Sequence, residues 1–140
     1  MTAPLFDHEK LKVYQEALRF VAWVHPVLER RPGKLAAKDP LDRASTSVVL
    51  NLAEGHDQRS HPDRCRYFDR ARGSGVECAA GLDVLRVKGF VSDDEVAAGK
   101  IILREVVSMT AGLIARCGGT VREEAGESLP NEGIEEQEKD

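Results

Sequence analysis

The chain has 140 residues and a mass of 15.4 kDa, the size of one compact domain rather than two. Its 20 Lys and Arg against 24 Asp and Glu give a net charge of −4, with 41% hydrophobic, 31% charged and 5% aromatic residues. These figures exclude a collagen-like or wholly disordered chain and require an aliphatic core. They also weigh against a dedicated nucleic-acid binder, which needs a concentrated positive surface.

Met1 to Asp7 lacks the charged-then-apolar order of a secretion leader, and no apolar run approaches the roughly 20 residues of a membrane span. The cysteines are Cys65, Cys78 and Cys117. An odd number without a C-x-x-C pair argues against a disulfide framework or a cysteine zinc site. A reducing cytoplasm is the expected setting.

Four helical patterns fill residues 7 to 117. In the first, from about Asp7 to Arg30, Leu11, Tyr14, Leu18, Val21, His25 and Leu28 recur at steps of three and four and predict one buried face. Val13, Phe20, Val24 and Val27 widen it, and Pro26 is expected to kink or end the helix. The second opens at Asp39-Pro40, a capping side chain followed by proline at the first helical position. Leu41, Ala44, Val48 and Leu52 form its stripe, and Gly55 is expected just past its end.

The third opens at Ser60-His61-Pro62-Asp63 and runs to about Lys88, with Phe68, Ala71, Gly75, Cys78, Leu82 and Leu85 in unbroken three-four phase. Gly73, Gly75 and Gly81 each cost it about 1 kcal/mol relative to alanine. Either the helix breaks there, or another helix approaches closely, from the same protomer or a second one. The fourth opens at the capping box Ser92-Asp93-Asp94-Glu95 and passes Ile102, Val106, Met109 and Leu113 to stop at Gly118-Gly119. The fold expected is all-α, an antiparallel up-down four-helix bundle over residues 1–119. Residues 120–140 read as an acidic disordered tail.

Charge divides along the same line. Residues 121–140 hold two basic and eight acidic side chains, a balance of −6, so the remaining 18 basic and 16 acidic groups leave the body at +2.

A bundle often hosts a di-iron site, but no Glu here is followed three residues later by His. His56, His61 and Cys65 offer a small ligand set; the plainer reading is a loop histidine, a histidine beside a helix cap and a partly buried thiol. Haem attachment, a phosphate-cradling glycine loop and a nucleophile elbow have no matching motif. Asn51 and Glu54 stand one turn apart without a nucleophile or second acid. Asn51 is therefore expected to bond backbone or a neighbouring helix, Glu54 to pair with an arginine, and Glu77 to make a structural polar contact. No catalytic residue, metal or cofactor is expected.

Basic residues gather at Arg30, Arg31, Lys34, Lys38 and Arg43, and again at Arg59, Arg64, Arg66, Arg70 and Arg72, the latter diluted by Asp63 and Asp69. Arg59, Arg66 and Arg70 share a face away from the Phe68 stripe. They make either an ordinary charged surface or a phosphate-contacting strip. Tyr67 is the one interleaved aromatic, so base recognition has no support.

The segments Leu11-Lys12-Val13-Tyr14-Gln15-Glu16-Ala17, Arg43-Ala44-Ser45 with Ser47, Asn51-Leu52-Ala53-Glu54-Gly55 and Arg59-Ser60, then Phe68, Ala71, Gly73-Ser74, Glu77 and Gly89-Phe90, resemble the four-helix-bundle proteins encoded in 23S ribosomal RNA intervening sequences. The resemblance spans about residues 6–117. It implies a ring-shaped homopentamer and no enzyme, with Arg43, Asn51, Glu54, Gly55, Gly73 and Glu77 as structural motif positions. A related branch, the accessory proteins of diversity-generating retroelements, forms similar rings that bind nucleic acid and a reverse transcriptase. The chain departs from the family pattern at Val49, where a proline is frequent, and in the Gly75 and Gly81 content of its third helix, and its acidic tail is an addition. The expectation is a cytoplasmic, self-associating bundle that contacts RNA or DNA through Arg59, Arg66 and Arg70. The alternative is a protein-interaction scaffold that binds no nucleic acid.

Overall fold

The computed structural model describes residues 3–30 and 38–118. A short 3-10 helix, Asp7–Lys10, precedes four α-helices: α1 (Lys12–Glu29), α2 (Lys38–Asp57), α3 (His61–Val87) and α4 (Asp93–Arg116). Each packs on its neighbours in sequence, and α1 also packs on α4, so the four close into a square. Opposite ends meet throughout. The Asp7 turn bonds His56 near the end of α2, Gly55 of α2 meets Phe68 of α3, Leu41 meets Gly81, and Cys65 of α3 bonds Ile114 of α4. That is the antiparallel up-down bundle.

The stripes expected of α2 and α3 form the core. Leu41, Ala44, Val48 and Leu52 are buried, as are Phe68, Ala71, Gly75, Cys78, Leu82 and Leu85. In α1 the phase differs. Val13, Ala17, Phe20, Val24 and Leu28 are buried, whereas Leu11, Tyr14, Leu18 and Val21 are half-buried and His25 is exposed. The apolar arc of this helix is wider than one stripe, and the residues chosen from sequence follow its edge. Leu11 is extended and separates α1 from the 3-10 turn, so the helix begins later than expected. It also continues beyond Pro26 to Glu29.

Gly55 does not end α2. The helix runs on to Asp57, and Gly55 is not among the described glycines with positive φ, which are Gly89 at 83° and Gly118 at 84°. A Cβ on Gly55 would stand 2.7 Å from Cε1 of Phe68, so packing against α3 is what excludes a side chain. Helix α2 also passes Val49, which is buried, without interruption.

Helix α3 does not break at its glycines. A Cβ on Gly75 would meet Val107 at 3.0 Å and one on Gly81 would meet Leu41 at 3.3 Å, so close approach explains two of the three. Gly73 has nothing within 4 Å among the described residues. Ser60 Oγ caps α3 by accepting from the Asp63 N–H, and the Ser92–Glu95 capping box opens α4. The Asp39 side chain, Gly119 and residues 120–140 lie outside the described residues.

Candidate functional site

Two stripes at helical spacing run side by side on the outer surface. Helix α2 supplies Arg43, Ser47, Leu50 and Glu54 at steps of four, three and four; α3 supplies Arg66, Arg70, Gly73 and Glu77 at the same steps. A hydrogen bond joins them, since the Ser47 and Ser74 hydroxyls are 2.9 Å apart across the seam. Asn51 Nδ2 donates to the Ser47 carbonyl at 2.9 Å and to its Oγ at 3.0 Å. Asn51 thus bonds its own helix and, through Ser47, the neighbouring one.

Arg43, Glu54, Gly73 and Glu77 are all exposed along this face, and Leu50 is 62% exposed beside them. Among the described residues the Glu54 carboxylate accepts from Gln58 Nε2 at 3.4 Å and from no arginine. Gly55 belongs to the same motif by sequence, but it turns inward to Phe68 and takes no part in the surface.

Arg66 and Arg70 lie toward the start of α3, whereas Arg43 on antiparallel α2 lies toward the other end of the face. Arg66 pairs with Asp63 at 3.5 Å, and the Arg70 guanidinium lies 5.1 Å from the centre of the Tyr67 ring. Arg59 is exposed in the connection before α3, while Arg64 turns back and donates to the Gln58 carbonyl at 2.8 Å. The predicted Arg59, Arg66 and Arg70 are thus all exposed, in the connection before α3 and along its first turns. The other basic group lies elsewhere. Arg30 pairs with Glu95 on α4, Arg43 faces the α2/α3 surface, and the side chains of Arg31, Lys34 and Lys38 lie outside the described residues.

His56, His61 and Cys65 have separate settings. His56 Nε2 bonds Asp7 Oδ2 at 2.8 Å, and this bond together with the Lys10 charge holds the Asp7 carboxyl below its ordinary range. His61 is exposed at the first position of α3, and the Cys65 thiol donates to the Ile114 carbonyl. Among the described residues no three His, Cys, Asp or Glu side chains are grouped to hold a metal ion.

Sequence reading missed the role of Ser47 and Ser74. The available signal was Ser47 one turn before Asn51, but its partner on another helix needs the packed fold. Among the described residues, no helix is long and apolar enough to cross a membrane.

A family model described as 23S rRNA-intervening sequence protein matches residues 9–112. Among solved structures, the chain is similar to a protein of unknown function from the S23 ribosomal protein family of Bacteroides thetaiotaomicron VPI-5482. The TM-score is 0.67 at 16% identity, over 73% of this chain and 97% of that one, a likeness of fold alone. No curated protein matches. The matched span takes in the whole α2/α3 face and stops within α4, before the acidic segment. With motif residues, helix order and matched span in agreement, the chain belongs to the 23S rRNA-intervening sequence protein family.

Proposed function

We propose that this protein is a non-enzymatic, cytoplasmic four-helix bundle that self-associates through its α2/α3 face as a ring-shaped homopentamer. In this reading, Arg59, Arg66 and Arg70 contact the phosphates of RNA or DNA. The supporting observation is Gly73. A mid-helix glycine costs about 1 kcal/mol, and Gly73 is exposed with nothing within 4 Å of an added Cβ among the described residues. A second protomer resting on α3 supplies a reason for the glycine, with Leu50 as an apolar contact and Arg43, Glu54 and Glu77 as charges of both signs.

Assembly bears on charge. One body at +2 is a poor phosphate binder, whereas five in a ring carry about +10 before the tails are counted. The scaffold reading draws on exposed Val87 (84%) and Ile101 (55%), which offer apolar contacts distinct from the arginines.

Light scattering on a sizing column tests the assembly, and a monomer at working concentration overturns the ring. Fluorescence anisotropy with labelled RNA and DNA across a salt series tests the second half. Binding that weakens steeply with salt supports phosphate contact. A ring that binds neither nucleic acid leaves the scaffold.

A further inference from the structure

We propose that Cys65 and Cys117 are a reversible oxidation site, at which a low-molecular-weight disulfide converts the two thiols into a bond between the start of α3 and the end of α4. Two independent contacts bring them together. The Cys65 thiol crosses from α3 to donate to the Ile114 carbonyl of α4 at 3.6 Å. The Cys117 backbone N–H donates to that same oxygen at 3.1 Å. Cys65, by its thiol, and Cys117, by its backbone N–H, therefore converge on one carbonyl.

The surroundings suit such a reaction at this pair and not at the third cysteine. Cys65 and Cys117 are partly exposed, whereas Cys78 is buried in the core and its thiol is pushed up to about 12 by burial, with Glu77 adding to the effect. Burial and the neighbouring Cys65 raise the Cys117 thiol above its ordinary range, while the charges of Arg64 and Arg116 act in the opposite direction. Disulfide geometry is demanding, with Cα atoms about 4.4–6.8 Å apart. Cys117 caps α4 and is followed by Gly118 at φ +84°, so a helix end, rather than a helix interior, makes the adjustment.

With oxidised glutathione as the co-reactant, one cysteine loses its proton and its thiolate attacks a glutathione sulfur. The glutathione disulfide breaks, a mixed protein disulfide forms, and one glutathione leaves. The second cysteine, as thiolate, attacks the protein sulfur of that mixed disulfide and expels the second glutathione. The protein loses two electrons and two protons, and both protons end on the two glutathione thiols released. Dithiothreitol reverses the change.

The experiment uses the full-length reduced protein with oxidised glutathione, followed by alkylation and non-reducing peptide mapping. The Cys65 and Cys117 peptides should be joined within one chain, with Cys78 alkylated only after unfolding. The melting temperature should rise by roughly 5 to 15 °C, because the link restrains the unfolded chain. In Cys65→Ser or Cys117→Ser the remaining partner should keep one glutathione adduct that cannot resolve. Two separate adducts on the wild-type chain, links only between chains, or no reaction at either cysteine would overturn the site.

Discussion

A Cβ placed on Gly55 of α2 would stand 2.7 Å from Cε1 of Phe68 and 3.1 Å from Cβ of Tyr67, both on α3. The glycine of the Asn-Leu-Ala-Glu-Gly element therefore sets the separation of two helices rather than ending one. Its neighbours Asn51 and Glu54, within one turn, look outward or along the seam.

The cost of Gly55→Ala follows from two opposed effects. Alanine gains about 1 kcal/mol of helix propensity, but overpacking against the buried Phe68 ring costs about 1–3 kcal/mol. The variant should be destabilised by about 1 kcal/mol, lowering the melting temperature by about 4 °C. A melting temperature above wild type in calorimetry contradicts the close approach.

Gly73→Ala should act with the opposite sign on the protomer. With nothing within 4 Å among the described residues, the new methyl group is unhindered by them and the helix gains about 0.5–1 kcal/mol. If a second protomer lies on Gly73, the same methyl group lowers the assembled mass seen by light scattering. A more stable protomer with an unchanged assembly removes Gly73 from the interface.

The Ser47–Ser74 contact should couple α2 and α3 measurably. Ser47→Ala takes away both the partner of Ser74 and one acceptor of Asn51, and should cost about 1 kcal/mol. In a urea double-mutant cycle with Ser74→Ala, the losses should fall short of additivity by about 0.5–1 kcal/mol. Strict additivity means the two hydroxyls are not energetically linked.

Acid should weaken the junction of α1 and α4. Glu95 is hydrogen-bonded by Arg30 and by the Ser92 backbone N–H, and these hold its carboxyl at about 2, below an ordinary 4.5. A carboxyl depressed on folding contributes its full stability above about pH 4.5 and loses it as pH falls towards 2. Arg30→Gln should flatten the pH dependence of the urea midpoint over this interval. An equally steep dependence in the variant would assign the acid sensitivity to other carboxylates.

Removing residues 119–140 takes −6 from each chain and leaves the +2 body. Under the proposed function, the shortened protein should bind nucleic acid at least as tightly as the full chain. Replacing Arg66 and Arg70 by Gln should reduce the salt slope by roughly 1 for each phosphate that an arginine no longer neutralises. A slope unaltered in the double variant places the nucleic acid elsewhere on the surface.

Helix number and most helix ends were legible because local chemistry sets them. Ser60 and Ser92 cap, Gly89 takes positive φ, and a three-four apolar repeat has one geometric solution in α2 and α3. The phase of α1 was not legible, since Val13, Phe20 and Val24 and the flanking Leu11, Tyr14 and Leu18 are equally apolar and only neighbouring helices choose between them. The surface residues Arg43, Asn51, Glu54, Gly73 and Glu77 could be named individually. That they form one face with Arg66 and Arg70 depends on the lateral contact of Ser47 with Ser74. The approach of Cys65 to Cys117 at the Ile114 carbonyl is of the same kind, because one lies in α3 and the other caps α4, distant in sequence.

The division of the −4 net charge into a body of +2 and a segment of −6 was determined by the sequence alone, as were the four helices and the aliphatic core. Tertiary structure decided which apolar stripe of α1 faces inward, why Gly55 carries no side chain, and that Ser47 of α2 meets Ser74 of α3. The physical reason is range: capping, periodicity and charge act within a turn or two of chain, whereas burial and contact between helices exist only once the helices have packed.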